Sequence, residues 1–189
     1  AISLRKFTLT GMKLASLLSG GHTGLDWQFK EIFPDLQVHS FIPFRAKLNT
    51  QGELEVTYSS DSLLKQGTII QQINGTDGTV LYQELMSCFG GIPSFQNVIC
   101  ETLFPIYLFF KEQIKAPYTI LTKDQTTPIT HHGLSLEPAA ALLSQGLQRE
   151  NYTFDILEED IAYIAYNSCQ DYDAFEVFLK ETFQIIHNK

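Results

Sequence analysis

Charge is scarce in this chain. Asp, Glu, Lys and Arg make up 18% of its 189 residues, below the roughly 25% of an average soluble domain. Such a thinly charged surface is consistent with part of it being covered by another segment or a partner. Basic runs are absent, and 13 Lys and Arg stand against 21 Asp and Glu, for a net charge of -8. This argues against nucleic acid as a partner, because neutralising phosphates requires clustered Lys and Arg. No apolar run reaches the roughly 18–20 residues of a membrane span. The most apolar stretch, Leu103-Phe104-Pro105-Ile106-Tyr107-Leu108-Phe109-Phe110, is too short. The N-terminus lacks a basic segment leading into an apolar one, and no membrane span is expected. Cysteine is sparse too. Cys88, Cys100 and Cys169 are odd in number and none pair at CxxC spacing, which argues against a disulfide scaffold and a zinc site. All three are expected to be buried as small apolar residues, with a single Cys88–Cys100 bridge left open.

What is present is apolar and aromatic. Hydrophobic residues make 44% of the chain and aromatic ones 12%, with 14 Phe and 8 Tyr. That suffices for one large domain or two small ones with a real core. Leu4, Phe7, Gly11, Leu14 and Leu18 recur at three- and four-residue spacing and predict an amphipathic helix over 3–19. Ser3 is its N-cap and Gly20-Gly21 its stop. Alternation over 41–48 and 54–58, around the turn Thr50-Gln51-Gly52-Glu53, predicts a hairpin. Gly67 to Gly75 reads as a strand leaving one tight turn and ending at another, Asn74-Gly75. Val80–Phe89 reads as a short helix, with Val80, Leu81, Leu85 and Met86 inward. A longer helix, capped by Ser94, is expected to run to about Lys115 with a kink at Pro105. Tyr118–Thr122 and Ile129-Thr130 read as strands, while Leu136–Gln145 is ambiguous, a single helical turn being one reading. Tyr152–Leu157 and Ile161–Tyr166 are predicted strands around Glu158-Glu159-Asp160. A final helix follows, capped by Asp171 or Asp173, with a stripe of Phe175, Phe178, Leu179, Phe183 and Ile186.

Taken in order, several of these segments resemble the S41 family of serine peptidases, which includes tail-specific processing and tricorn-like enzymes. The N-terminal helix followed by Gly21-His22-Thr23 resembles that family's Gly-His-Thr element. Gly67 through Gly75, with Ile73-Asn74-Gly75, resembles its PDZ-like strand. Asp160-Ile161-Ala162-Tyr163-Ile164 and the helix after it resemble the segment before its catalytic core. The resemblance implies an α+β fold: an N-terminal helix, a PDZ-like small β module with two helices, then a strand-strand-helix unit. It divides the chain into a helical and loop frame over 1–38, a PDZ-like module with inserted helices over 39–125, and the start of an S41-like core over 126–189. Two departures stand out. Gly20 occupies the place of the family's usual Asp, and the Asn-Gly-Gly turn and nucleophilic serine have no counterpart up to Lys189. The expectation is the N-terminal part of an S41-like serine endopeptidase, inactive alone, of a periplasmic or secreted protein.

Under the resemblance, His22 is the candidate general base, since imidazole titrates near neutral pH. In other members the base is a lysine and this histidine orients a loop, so both roles remain open for His22, with Thr23 bonding the loop in either. No cofactor and no metal is expected. His131-His132 is a poor chelate, because neighbours in a strand point to opposite faces, and no third ligand is suitably spaced. His39 and His187 read as surface residues. Glu158-Glu159-Asp160 reads as a solvated turn rather than an acid–base cluster. The sequons at Asn74 and Asn151 read as incidental. The expected partner is a peptide or protein substrate. A PDZ-like sheet edge binds an extended peptide by strand addition, unless helix 94–115 caps it. Besides the peptidase, two other readings stay open: a non-catalytic binding module, and a homodimer formed through the surface the missing core would cover.

Overall fold

The computed structural model describes residues 2–18, 25, 30–145, 150–157, 161–167 and 171–187. It separates into two compact units, Ala1–Gln145 and Gly146–Lys189. Helices and antiparallel sheet are mixed throughout, an α+β arrangement.

In the first unit, α1 (Leu4–Ser16) begins where the Ser3 hydroxyl accepts from the Lys6 N–H at 3.2 Å, the expected N-cap. The face it buries differs from the expected stripe. Thr8 and Met12 are buried, whereas Leu4, Phe7, Leu14 (68% exposed) and Leu18 (73%) face outward. The anchors are polar groups that periodicity does not register. The Arg5 guanidinium lies 4.0 Å over the Phe109 ring and donates to the Phe109 carbonyl, and the Ser16 hydroxyl donates to the Ser87 carbonyl at 2.8 Å. Of the outer stripe, Gly11 lies against the Leu25 side chain. A turn over Lys30–Ile32 leads into α2 (Phe33–Val38).

The sheet follows. Strands β1 (Phe44–Leu48), β2 (Leu54–Ser59), β3 (Ile69–Ile73), β5 (Tyr118–Thr122) and β6 (Ile129–His131) lie side by side in that order, with the short β4 (Thr76–Asp77) paired on β3. All pairs are antiparallel. Between β1 and β2 the register slips, so that Ala46 faces Val56 while Arg45 faces Tyr58. Thr57 is the extra residue of a bulge, which explains why Val56 and Thr57 are buried in succession. At the end of β3, Asn74 (φ 49) and Gly75 (φ 75) are both left-handed, as a tight hairpin turn requires. The turn is stitched to β5: Asn74 Oδ1 accepts from the Thr119 N–H at 2.7 Å and Nδ2 donates to the Lys115 carbonyl at 2.8 Å.

Helix α3 (Gly78–Met86) starts at once, with the Asp77 carboxylate accepting from the Val80 N–H. It buries Leu81, Tyr82 and Leu85, and leaves Val80 outside. The next helix, α4 (Pro93–Phe110), is shorter than expected. It starts on Pro93 rather than a Ser94 cap, and continues through Pro105. Its Cys100, Phe104 and Leu108 enter the main core with Phe44, Leu54, Val56, Ile70, Tyr118 and Ile120. The ambiguous stretch near 140 forms a full helix, α5 (Leu136–Ser144), burying Ala139 and Leu142. Ala139 joins Ile32, Leu36, Phe41, Phe109 and Phe110 in a second core cluster.

In the second unit, β7 (Tyr152–Leu157) and β8 (Ile161–Tyr166) form a hairpin in full register, and α6 (Tyr172–His187) packs on one of its faces. Asp171 caps the helix by accepting from the Ala174 N–H at 2.9 Å. The packing is aromatic, with Tyr166–Phe175 centroids 4.3 Å apart and Tyr152–Phe178 centroids 5.5 Å apart. Phe175, Phe178, Leu179 and Ile186 of the expected stripe are partly buried, and Phe183 is exposed.

Candidate functional site

His22 lies outside the described residues, as do Gly20, Gly21 and Thr23, and so does Glu158-Glu159-Asp160. Cys169, expected to be buried, lies outside them too.

The peptide-binding candidate is the β1 edge beside α3. A strand edge offers alternate N–H and C=O groups to an added strand. Here α4 takes that place. The Asn97 side-chain amide accepts from the Leu48 N–H at 3.3 Å and donates to the Leu48 carbonyl at 3.2 Å, reproducing the pair of bonds an incoming peptide group would make. The Tyr82 hydroxyl donates to Asn97 Oδ1 at 2.8 Å and holds the amide in place. Tyr82 comes from α3, so strand edge, α3 and α4 are locked together. Next along β1, buried Arg45 donates to Glu101 Oε1 and Thr102 Oγ1 on α4, both at 3.1 Å, and to the Gln145 carbonyl after α5. Its guanidinium also stacks 4.7 Å over the Tyr58 ring. Arginine is suited to such a site because one planar group serves several acceptors. Among the described residues, Arg45 Nε and Thr57 Oγ1 are buried without a hydrogen-bond partner.

The serines at 59 and 60 and His131 meet other groups in the structure. The Ser59 and Ser60 hydroxyls donate to the Pro43 carbonyl. His131 Nδ1 accepts from the Gly133 N–H at 2.8 Å, and Nε2 faces Asp61 Oδ2 at 3.6 Å. The Nδ1 lone pair is occupied by the Gly133 N–H, and the charged group Nε2 faces is the Asp61 carboxylate. His131 ties the 59–64 loop to β6. His132 is exposed. Among the described residues no group of three His, Cys, Asp or Glu is placed to hold a metal.

Other titratable groups are placed by contacts distant in the chain. His39 is half-buried rather than on the surface. Its ring meets Phe41 and Phe109 edge-on, at 4.8 and 5.0 Å. Burial first, and the Arg5 charge second, lower its pKa to about 4. Tyr118 spends its single proton on the Ser40 carbonyl, which assigns His39 Nε2, 3.4 Å away, as the donor between them. Glu84 accepts from Lys111 Nζ at 2.6 Å and from the Tyr107 hydroxyl at 2.9 Å. The Lys111 hydrogen bond above all holds its carboxyl below the ordinary range, while burial pushes the Tyr107 hydroxyl up. Cys88 and Cys100 are free, not bridged. Burial pushes their thiols up to about 11 and about 12, so neither is a thiolate nucleophile at neutral pH. His187 is exposed as expected.

No described helix is long and apolar enough to cross a membrane. Comparison with known proteins adds no neighbour: no family model, no curated protein and no solved structure matches this chain.

Proposed function

We propose that this chain supplies the non-nucleophilic part of an S41-like serine endopeptidase acting on peptides or proteins. The observation that carries the reading is the run from Gly67 to Met86. A strand closing on a left-handed Asn74-Gly75 turn leads directly into α3, on the same sheet as the β1–β2 hairpin. This succession is what the resemblance implies for a PDZ-like module. In this reading His22 takes the proton of the attacking serine and returns it to the leaving amine. The middle module acts as a rigid frame, because its β1 edge is already filled by Asn97.

Peptidase assays test this. The 189-residue chain is expected neither to hydrolyse fluorogenic peptides nor to be labelled by a fluorophosphonate, which reacts with activated serines. In a protein joining it to a nucleophile-bearing core, His22→Ala is expected to lower kcat by about 10³-fold or more. Inhibitor-sensitive hydrolysis by the chain itself would refute the assignment of the nucleophile elsewhere. Unchanged turnover in the variant would make His22 a loop residue.

The second reading, a non-catalytic peptide-binding module, draws on a different place: the hairpin of the second unit, whose β7 strand pairs with β8 and with no other described strand.

A further inference from the structure

We propose that the cleft between the β7 edge and α6 binds an extended, basic peptide segment by strand addition. The cleft measures about 430 Å³ and is lined by Glu150, Tyr152 to Asp155, and Phe178, Glu181, Thr182 and Ile185. Successive side chains of a strand point to opposite faces, so four consecutive β7 residues line one cleft only when it lies along the strand's edge. The opposite wall is a single face of α6, since 178, 181, 182 and 185 follow the three- and four-residue spacing of a helix. A strand edge facing a helix across a cleft is the geometry of peptide capture by strand addition.

The register shows which main-chain groups are on offer. The Asn167 N–H donates to the Asn151 carbonyl at 2.8 Å, so 151 and 167 face each other through hydrogen bonds. Bonded and non-bonded pairs alternate along an antiparallel ladder. Tyr152↔Tyr166 and Phe154↔Ile164 are therefore non-bonded pairs. The N–H and C=O of Tyr152 and Phe154 point away from β8, to the edge that borders the cleft. Phe178 and Ile185 give its helix wall apolar contacts for alternate side chains of an added strand.

Charge selects the occupant. The ionisable lining side chains are Glu150, Asp155 and Glu181, apart from the Tyr152 hydroxyl, which donates to the Asp171 carbonyl. Among the described residues no Lys, Arg or His lines the cleft. On α6, Lys180 pairs with Glu176 at 2.7 Å. A second copy would bring the same carboxylates to the same edge, and like charges placed opposite repel. A segment alternating apolar residues with Lys or Arg satisfies the edge, the apolar wall and the carboxylates together.

The probe is a fluorescein-labelled peptide alternating valine with lysine, titrated into the full 189-residue chain and followed by anisotropy. Expected is saturable binding that weakens about tenfold or more in Asp155→Lys with Glu181→Lys, and also as salt is raised. Both substituted side chains are exposed, and circular dichroism checks that the doubly substituted chain stays folded. A peptide N-methylated at alternate residues is expected not to bind, because it cannot complete main-chain bonds. Equal binding of a valine–glutamate peptide, indifference to N-methylation, or indifference to charge reversal would each overturn the proposal. So would sedimentation as a homodimer that the charge reversal leaves intact while peptide binding is absent.

Discussion

His39 is a residue whose charge state the fold opposes. Its pKa falls from 6.5 to about 4, first through burial and then through Arg5. The unfolded chain therefore binds a proton at pH values where the folded one does not. Stability from the neutral ring is fully present above about pH 6.5 and is lost as pH falls from there toward 4. Discounted for the solvent that still reaches the half-buried ring, the loss is about 1–2 kcal/mol. Urea midpoints at pH 7, 5.5 and 4.5 are expected to fall across this window, and the difference from His39→Gln, which cannot titrate, isolates the histidine. A parallel fall in both proteins would remove His39 as the cause. Two glycines separate backbone strain from crowding. Gly52 (φ +77) faces open space, whereas Gly133 (φ +84) would place a Cβ 2.8 Å from the Ser40 Cβ and 3.0 Å from the Phe41 carbonyl oxygen. Gly52→Ala is expected to cost about 1 kcal/mol and Gly133→Ala about 2–4 kcal/mol. Equal costs in thermal unfolding would show that the 133 contact relaxes freely.

Among the elements, α4 decides what the sheet can do. Asn97 supplies both bonds to Leu48, and it is the Tyr82 acceptor. Asn97→Ala leaves the Leu48 N–H and C=O unmatched, while the Tyr82 hydroxyl keeps the Asn97 backbone carbonyl at 2.9 Å, and is expected to cost about 1–3 kcal/mol. It is not expected to open the edge to peptide, because Phe104 and Leu108 still anchor the helix in the core. Peptide binding gained by this variant would make α4 a displaceable lid instead. Whether helix 94–115 would cap the edge was not decidable from the sequence, since capping rests on one amide meeting a strand 49 residues away. The strands themselves were legible. Alternation marked β1 and β2, the runs at 152–157 and 161–166 read as the strands they form, and Asn74-Gly75 marked its turn. The α1 face was not legible for a specific reason. Apolar residues occupy both adjacent sectors of that helix, and the choice between them was made by Arg5 on Phe109 and Ser16 on the Ser87 carbonyl. His39 was misread on similar grounds, its burial coming from Phe41 nearby and Phe109 far along the chain. His22 stood out through its motif, but a base is defined by the hydroxyl it meets, which spacing along the chain does not supply.

On the scale of the whole molecule, the two units differ in how they could hold themselves together. Both core clusters draw their described members from residues up to Ala139. The first unit thus contains sheet, covering helices and closed core, with Gln145 retained as the acceptor for Arg45. The second has a two-stranded hairpin and one helix, and such a hairpin is marginal in water without more sheet or a larger apolar face. A chain ending at Gln145 is therefore expected to keep a single cooperative urea transition, with near-ultraviolet circular dichroism from its packed tyrosines. The isolated 146–189 segment is expected to show no cooperative transition of its own. If residues 1–145 instead lost cooperative unfolding, the core of the first unit would depend on groups beyond Gln145. If 146–189 unfolded cooperatively alone, its aromatic cluster of Tyr152, Tyr166, Phe175 and Phe178 would suffice as a core, against the area argument. Peptide titration of the intact chain and of 1–145 then assigns any strand-adding surface to one unit, because only the intact chain carries the β7 edge.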